Sequence, residues 1–296
     1  MTPPETDLVK ESLAAAAGRG VASLARFSRG AQSVNYAGVW EGGGRFALKL
    51  VPFARAAQWA RFADHLERVK SGPVVRECSP RVRFDVGGAW HAAVTEWCGG
   101  EKVRFDRVRD VPLLLAGYAA FSAGVQGVRE LYPAYDYPAM RARVESSPLG
   151  GLLPVALTDA TFAPLGRDRI VIHGDWQADN LRFEGGRLAH VLDIEEFRPG
   201  RPVEDFARYA LCGAGRLGPF AFAARRRTVR ALAAVAAASP YGADEWSAAI
   251  WGQTLEFLCK CVGKGRVSRL WRWRLAPRVR FCEKLEKAVR AAAGKG

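Results

Sequence analysis

No run of about 18 apolar residues occurs anywhere in the chain, and a membrane-spanning helix needs at least that. The opening Met1-Thr2-Pro3-Pro4-Glu5-Thr6-Asp7 has neither a basic stretch nor an apolar core, so no secretory signal is expected. The six cysteines, Cys78, Cys98, Cys212, Cys259, Cys261 and Cys282, include no CxxC pair, and Cys259-Lys260-Cys261 is too tight for a usual zinc knuckle. Buried or idle thiols in a reducing cytoplasm are the expectation. Internal repeats and low-complexity tails are also missing.

Acidic residues are scarce: 30 Asp and Glu stand against 44 Lys and Arg, for a net charge of +14. From Arg201 onward the imbalance is sharper, nineteen basic residues to seven acidic ones. A basic face can attract nucleic acid, an anionic membrane or acidic substrates. A solvated surface is the preferred reading, because no nucleic-acid-binding motif accompanies the charge. Trp271-Arg272-Trp273-Arg274, the one interleaving of aromatic and basic residues singled out, reads as packing plus surface charge. What the chain does have is apolar content: 49% of its 296 residues, enough for a sizeable core in one large domain or two lobes.

The most informative stretch is Val171-Ile172-His173-Gly174-Asp175-Trp176-Gln177-Ala178-Asp179-Asn180. Apolar runs at 181–183 and 188–192 then flank Glu184-Gly185-Gly186-Arg187, which reads as a hairpin. Such a hairpin returns the acids after it, Asp193 among them, to the loop before it. Asp175, Asn180 and Asp193 are therefore expected to share one cleft. Their hard oxygens suit Mg²⁺, which keeps waters and phosphates in its shell.

This pattern resembles the kinase catalytic loop, His-x-Asp-x-x-x-x-Asn with a metal-binding Asp further on. In its His-Gly-Asp form, and in the later Gly200-Arg201-Pro202-Val203-Glu204-Asp205-Phe206-Ala207, it is similar to the aminoglycoside phosphotransferase and choline kinase superfamily of small-molecule kinases. The resemblance implies an α+β, protein-kinase-like two-lobed fold. An N-terminal antiparallel sheet with a helix, residues 1–98, would bind the nucleotide. A mostly α-helical C-terminal lobe, residues 99–296, would carry catalysis and substrate binding.

The N-terminal segments agree. Residues 27–50 read as strand, loop, strand, glycine turn and strand, with Lys49 on the face opposite Leu48 and Leu50. By resemblance Lys49 neutralises nucleotide phosphates, and Ser33 and Asn35 lie in the loop that approaches them. Val94-Thr95-Glu96-Trp97-Cys98-Gly99-Gly100 resembles the kinase hinge, so Glu96 and Trp97 are expected at the adenine edge. A helix over 56–70 is expected to carry the acidic partner of Lys49, either Glu67 or Asp64. A short helix is expected over 6–17, with Thr6 or Asp7 as its cap and Leu8, Leu13 and their neighbours on the buried side.

The rest reads as helical: 111–128, 206–212, 220–238, 245–262 and 278–293, with a start near 140 and an ordered loop over 148–166. An aromatic loop covers 132–138. The resemblance implies that Asp175 orients the acceptor hydroxyl and takes its proton. Asn180 and Asp193 would hold Mg²⁺, His173 would brace the loop, Glu195 would reach metal-bound water or substrate, and Asp205 would anchor a helix. The expected activity is transfer of the γ-phosphate of ATP, with GTP as the other candidate, to a hydroxyl of a sugar, amino alcohol or related metabolite. A non-catalytic kinase-like nucleotide-binding protein and, less favoured, a nucleic-acid-binding protein are the alternatives.

Overall fold

The computed structural model describes residues 4–29, 33–55, 82–103, 108–125, 132–193, 196–215 and 222–294. The expected helix over 56–70, with Asp64 and Glu67, lies outside the described residues, as do Cys78 and Glu195.

Helix α1 spans Thr6–Ala17, as the sequence pattern suggests, and stops where Gly18 turns left-handed at φ 63°. Its cap position is Glu5, with no side-chain cap bond, rather than Thr6 or Asp7. Val9 and Leu13 are buried while Leu8 is 43% exposed. Positions 9 and 13 are one turn apart and define the inward stripe, and residue 8 falls off it.

Five strands follow: β1 Val21–Arg29, β2 Val34–Trp40, β3 Arg45–Pro52, β4 Val82–Val86 and β5 Trp90–Glu96. They form one antiparallel sheet in the order β1-β2-β3-β5-β4. In β3, Phe46, Leu48 and Leu50 are buried, whereas Ala47 and Lys49 between them are only half-buried. That alternation points Lys49 away from the core shared with α1, in which Val9, Leu13, Tyr36, Leu48, Val86 and Trp90 pack.

The second core draws on residues from Val103 to Val289 and is largely helical. Its helices are α2 Val111–Gly124, α3 Tyr137–Glu145, α4 Pro202–Gly215, α5 Phe222–Ala238, α6 Ala243–Gly263 and α7 Arg269–Ala293. Asp136 caps α3 by accepting the Ala139 N–H at 2.9 Å. Helix α7 starts nine residues before the expected 278, because Ser268 caps it and the chain runs helically through Pro277. The buried Leu275, Val279, Cys282, Leu285 and Val289 hold it against the core, which outweighs the proline's missing donor. Trp271, Arg272, Trp273 and Arg274 are thus helical, and Trp273 is exposed.

Two small sheets sit where this core meets the first. Strands β6 Ile170–Ile172 and β9 Arg198–Gly200 pair antiparallel, and so do β7 Leu181–Glu184 and β8 Arg187–Val191. Gly185 and Gly186, at φ 52° and 76°, form the two-residue turn that the Gly-Gly pair predicts. Just beyond β5, Glu101 and Phe183 exchange backbone hydrogen bonds of 2.8 and 2.9 Å. The connection from the first core is thereby attached to the hairpin of the second.

Among the described residues no cysteine is bonded to another. No helix among them is long and apolar enough to cross a membrane.

Candidate active site

Strand β6 delivers the loop that begins at His173, and the β7–β8 hairpin delivers Asp193. Leu192 joins the two: its N–H donates to the Asn180 carbonyl at 2.7 Å, and its own carbonyl lies 3.0 Å from His173 Nε2. His173 Nδ1 accepts the Asp175 N–H at 3.1 Å. An acceptor at Nδ1 leaves Nε2 as the protonated nitrogen, so the ring is a neutral brace donating to Leu192. Phe121, Trp176 and Phe197 pack around it with ring centroids 5.6 to 5.9 Å away.

Asp205, in the first turn of α4, holds the loop from below. Its carboxylate accepts the His173 N–H at 2.8 Å, the Gly174 N–H at 2.9 Å and the Tyr118 hydroxyl at 2.9 Å. Burial pushes the Asp205 carboxyl up from its ordinary range, against the opposing pull of the Arg198 guanidinium and of the His173 backbone N–H. Burial, then Asp205, pushes the Tyr118 hydroxyl well up, which keeps it a donor. Asp205, expected to cap or anchor a helix, sits in the first turn of one and instead secures the His173–Gly174 loop. Gly174 is held at φ 78°, and a Cβ there would lie 2.3 Å from the Glu196 carbonyl oxygen. Only glycine fits this bend.

The resulting constellation is tightly bonded. Asn180 is buried, and its Nδ2 donates to the Asp175 carbonyl at 2.9 Å and to Asp175 Oδ2 at 3.1 Å. That orientation turns the amide oxygen of Asn180 away from Asp175. Asp193 adopts φ 58°, left-handed for a non-glycine residue, and its Oδ1 meets Lys49 Nζ at 2.7 Å. Burial raises the Asp193 carboxyl, but the Lys49 charge and hydrogen bond outweigh that and hold it below its usual range.

Asn35 faces Lys49 across the β2–β3 pair, and Ser33 immediately precedes β2. Glu96 ends β5, three residues beyond the Ala93 that pairs with Lys49. At about 3.3 Å per residue it lies roughly 10 Å along the strand from Lys49. Glu96 is exposed, and the Trp97 N–H donates to the Arg45 carbonyl at 3.4 Å. The Trp97 ring is covered by the Arg45 guanidinium at 4.0 Å and met edge-on by Phe27. Lys49, Asp175, Asn180 and Asp193 thus form one bonded cluster, Ser33 and Asn35 flank it, and Glu96 and Trp97 lie at the sheet's far end.

Two residues escaped sequence reasoning. Arg208 donates to Asp175 Oδ1 through Nε at 3.0 Å and Nη2 at 2.7 Å, and through Nη1 to Glu256 Oε2 at 2.8 Å. Arg208 follows Asp205 by one helical turn, and Glu256 is the one acid beyond the first turn of the long apolar helix α6, so each left a trace in the pattern.

The donor set fits a hard divalent cation. Asn180 offers an amide oxygen and Asp193 keeps Oδ2 beyond the oxygen that Lys49 takes, which suits Mg²⁺ completed by phosphates and water. Among the described residues no group of three or more His, Cys, Asp or Glu side chains could hold a metal by themselves.

An antiparallel five-stranded sheet over a helical part, with a lysine on the third strand reaching an aspartate beyond the catalytic-loop hairpin, defines a kinase-like fold. The family model described as "Phosphotransferase enzyme family" matches residues 23–246, and the chain belongs to that family. Among solved structures the chain is similar to aminoglycoside phosphotransferase APH(4)-Ia, with 14% identity, 96% of this chain and 99% of that one covered, and a TM-score of 0.61. It is similar to the amicoumacin kinase hAmiN, solved with AMP-PNP, Ca2+ and Ami, at 14% identity, 96% and 94% coverage and a TM-score of 0.59. An aminoglycoside phosphotransferase from Alicyclobacillus acidocaldarius gives 13% identity, 100% and 97% coverage and a TM-score of 0.59. No curated protein matches the chain.

Proposed function

We propose that the protein is an ATP-dependent phosphotransferase acting on a hydroxyl of a small molecule, and that it works as two lobes divided near Gly99. The observation that carries this reading is the continuous chain of contacts from Lys49 through Asp193 and Leu192 to Asn180 and Asp175. Phosphoryl transfer needs little covalent help beyond positioning and charge neutralisation. Asp175 is the group that orients the acceptor hydroxyl and takes its proton. The acceptor oxygen bonds to the γ-phosphorus, the bond from that phosphorus to the β–γ bridging oxygen breaks, and ADP leaves. Lys49 neutralises the non-transferred phosphates, with Ser33 and Asn35 beside them and the hinge at Glu96 and Trp97 against the base. Asn180 and Asp193 would hold Mg²⁺, which supplies charge neutralisation on the phosphates when bound.

The acceptor side supports a neutral, zwitterionic or anionic alcohol over a polycation, because Arg208 lies directly against Asp175 and the helices beyond Asp205 are rich in arginine. The test is a phosphorylation screen of alcohol metabolites with Mg²⁺ and either ATP or GTP, run beside Asp175→Asn. That variant should bind nucleotide and lose turnover by about 10³-fold or more, as loss of a positioned base does. Near-normal turnover in it refutes the assignment.

A further inference from the structure

The carboxylate of Asp175 has about four lone-pair directions, and the structure engages all of them. Oδ1 takes two N–H groups of Arg208, at 2.7 and 3.0 Å. Oδ2 takes the side-chain amides of Gln177 at 2.7 Å and Asn180 at 3.1 Å. An incoming hydroxyl can donate to Asp175 only by displacing one of these donors.

The four are not equally held. Arg208 is nearly enclosed, and its third nitrogen is fixed by Glu256, itself 3% exposed and paired also with Lys260. Burial works to neutralise Arg208, but Glu256 and Asp175 outweigh it and push its pKa well up, so it remains a cation. Asn180 is buried and keeps a second bond to the Asp175 carbonyl. Gln177, by contrast, is a neutral amide only half-buried, while Arg208 is charged and Asn180 is buried.

We propose that Arg208, held by Glu256, is a positioning residue that pins Oδ1 of Asp175 and leaves Oδ2 to receive the acceptor hydroxyl, with Gln177 as the donor that gives way. The inference rests on the phosphotransferase reading above. A planar fork locked at both ends fixes the carboxylate's rotation, and small errors in that angle are costly to an in-line transfer.

The test uses the full chain, Mg²⁺ and ATP, with water as the acceptor in the slow hydrolysis reaction, so no acceptor need be known. Arg208→Gln is expected to lower kcat about 10²-fold, the scale of an ångström-sized misplacement, with the nucleotide Kd unchanged. Glu256→Gln should lower kcat about tenfold by loosening the same fork. Arg208→Lys should recover only part of the loss, because a point charge cannot reproduce the fork. Gln177→Ala should raise hydrolysis by opening Oδ2. If Arg208→Gln does not fold, Glu256→Gln and Arg208→Lys decide the matter. Wild-type kcat in those variants, with only a lower Tm, overturns the positioning role while an inactive Asp175→Asn keeps the kinase reading intact. A fall in hydrolysis for Gln177→Ala overturns its part. An Asp175→Asn protein as active as wild type, or a wild type with no turnover, overturns the kinase reading and this inference with it.

Discussion

Lys49 and Asp193 are 144 residues apart in sequence and 2.7 Å apart in space, one on the third strand of the sheet and the other just past the hairpin of the helical part. The pair joins the elements that carry the two hydrophobic cores. On the proposed function it also holds a cation where nucleotide phosphates would arrive. Lys49→Met is therefore expected to fold, with a Tm within a few degrees of wild type, because exposed or half-exposed pairs stabilise by about 1 kcal/mol or less. Its ATP affinity should fall about tenfold or more, and calorimetric titration checks both statements.

The same pair predicts a pH dependence. The folded-state pKa of the Asp193 carboxyl is depressed, mainly through Lys49 acting against burial. Its contribution to stability is thus fully present above the ordinary aspartate value of about 3.9 and fades as pH falls through the lower folded value. The stability difference between wild type and Lys49→Met should be flat above about pH 5 and shrink towards zero under acid. A difference that grows on acidification contradicts the assignment.

Asp193→Ala should abolish the dependence of nucleotide binding on Mg²⁺. Titrating ATP with and without the metal reads this directly. Asn180→Ala should weaken the metal effect and also release Asp175, so its kcat should fall further than its metal affinity explains.

Gly174→Ala puts a side chain at φ 78° with its Cβ 2.3 Å from the Glu196 carbonyl oxygen and 2.4 Å from Arg198. Backbone strain of about 1–3 kcal/mol adds to the displacement of β9. Equilibrium unfolding should show a loss of at least that size, and turnover should fall with the loop's shape.

Arg198 is 2% exposed, pairs with Glu204 at 3.3 Å and lies over the Tyr135 ring at 3.8 Å. Removing one partner of a buried pair leaves the other charge uncompensated, at about 3–5 kcal/mol. Glu204→Ala should show that cost in urea unfolding. Arg198→Met with Glu204→Leu should recover much of it.

The loop from His173 to Asn180, the Gly-Gly hairpin and the lysine-bearing strand were legible as structure because each depends on local chemistry: a polar loop after an apolar run, two glycines at a turn, and alternation along a strand. Helix α1 was legible in extent but not in facing, since Leu8 and Val9 are equally apolar and only the sheet decides which is buried. Helix α7 begins at Arg269, earlier than the expected 278, because the Ser268 cap and tertiary packing carry the helix through Pro277. Arg208 and Glu256 could not be paired from sequence at all. They lie 48 residues apart on two helices, and only the fold brings their side chains together beside Asp175.

The exchange of main-chain bonds between Glu101 and Phe183 has an evolutionary consequence. A tie made of peptide groups is blind to side-chain identity, so the exposed Glu101 is free to drift while the link persists, whereas Phe183, buried in the second core, is held apolar by its packing. Proline alone, lacking the donor, would cut one of the two strands of that link. Sequences sharing this architecture should therefore vary at Glu101, stay apolar at Phe183 and exclude proline from each.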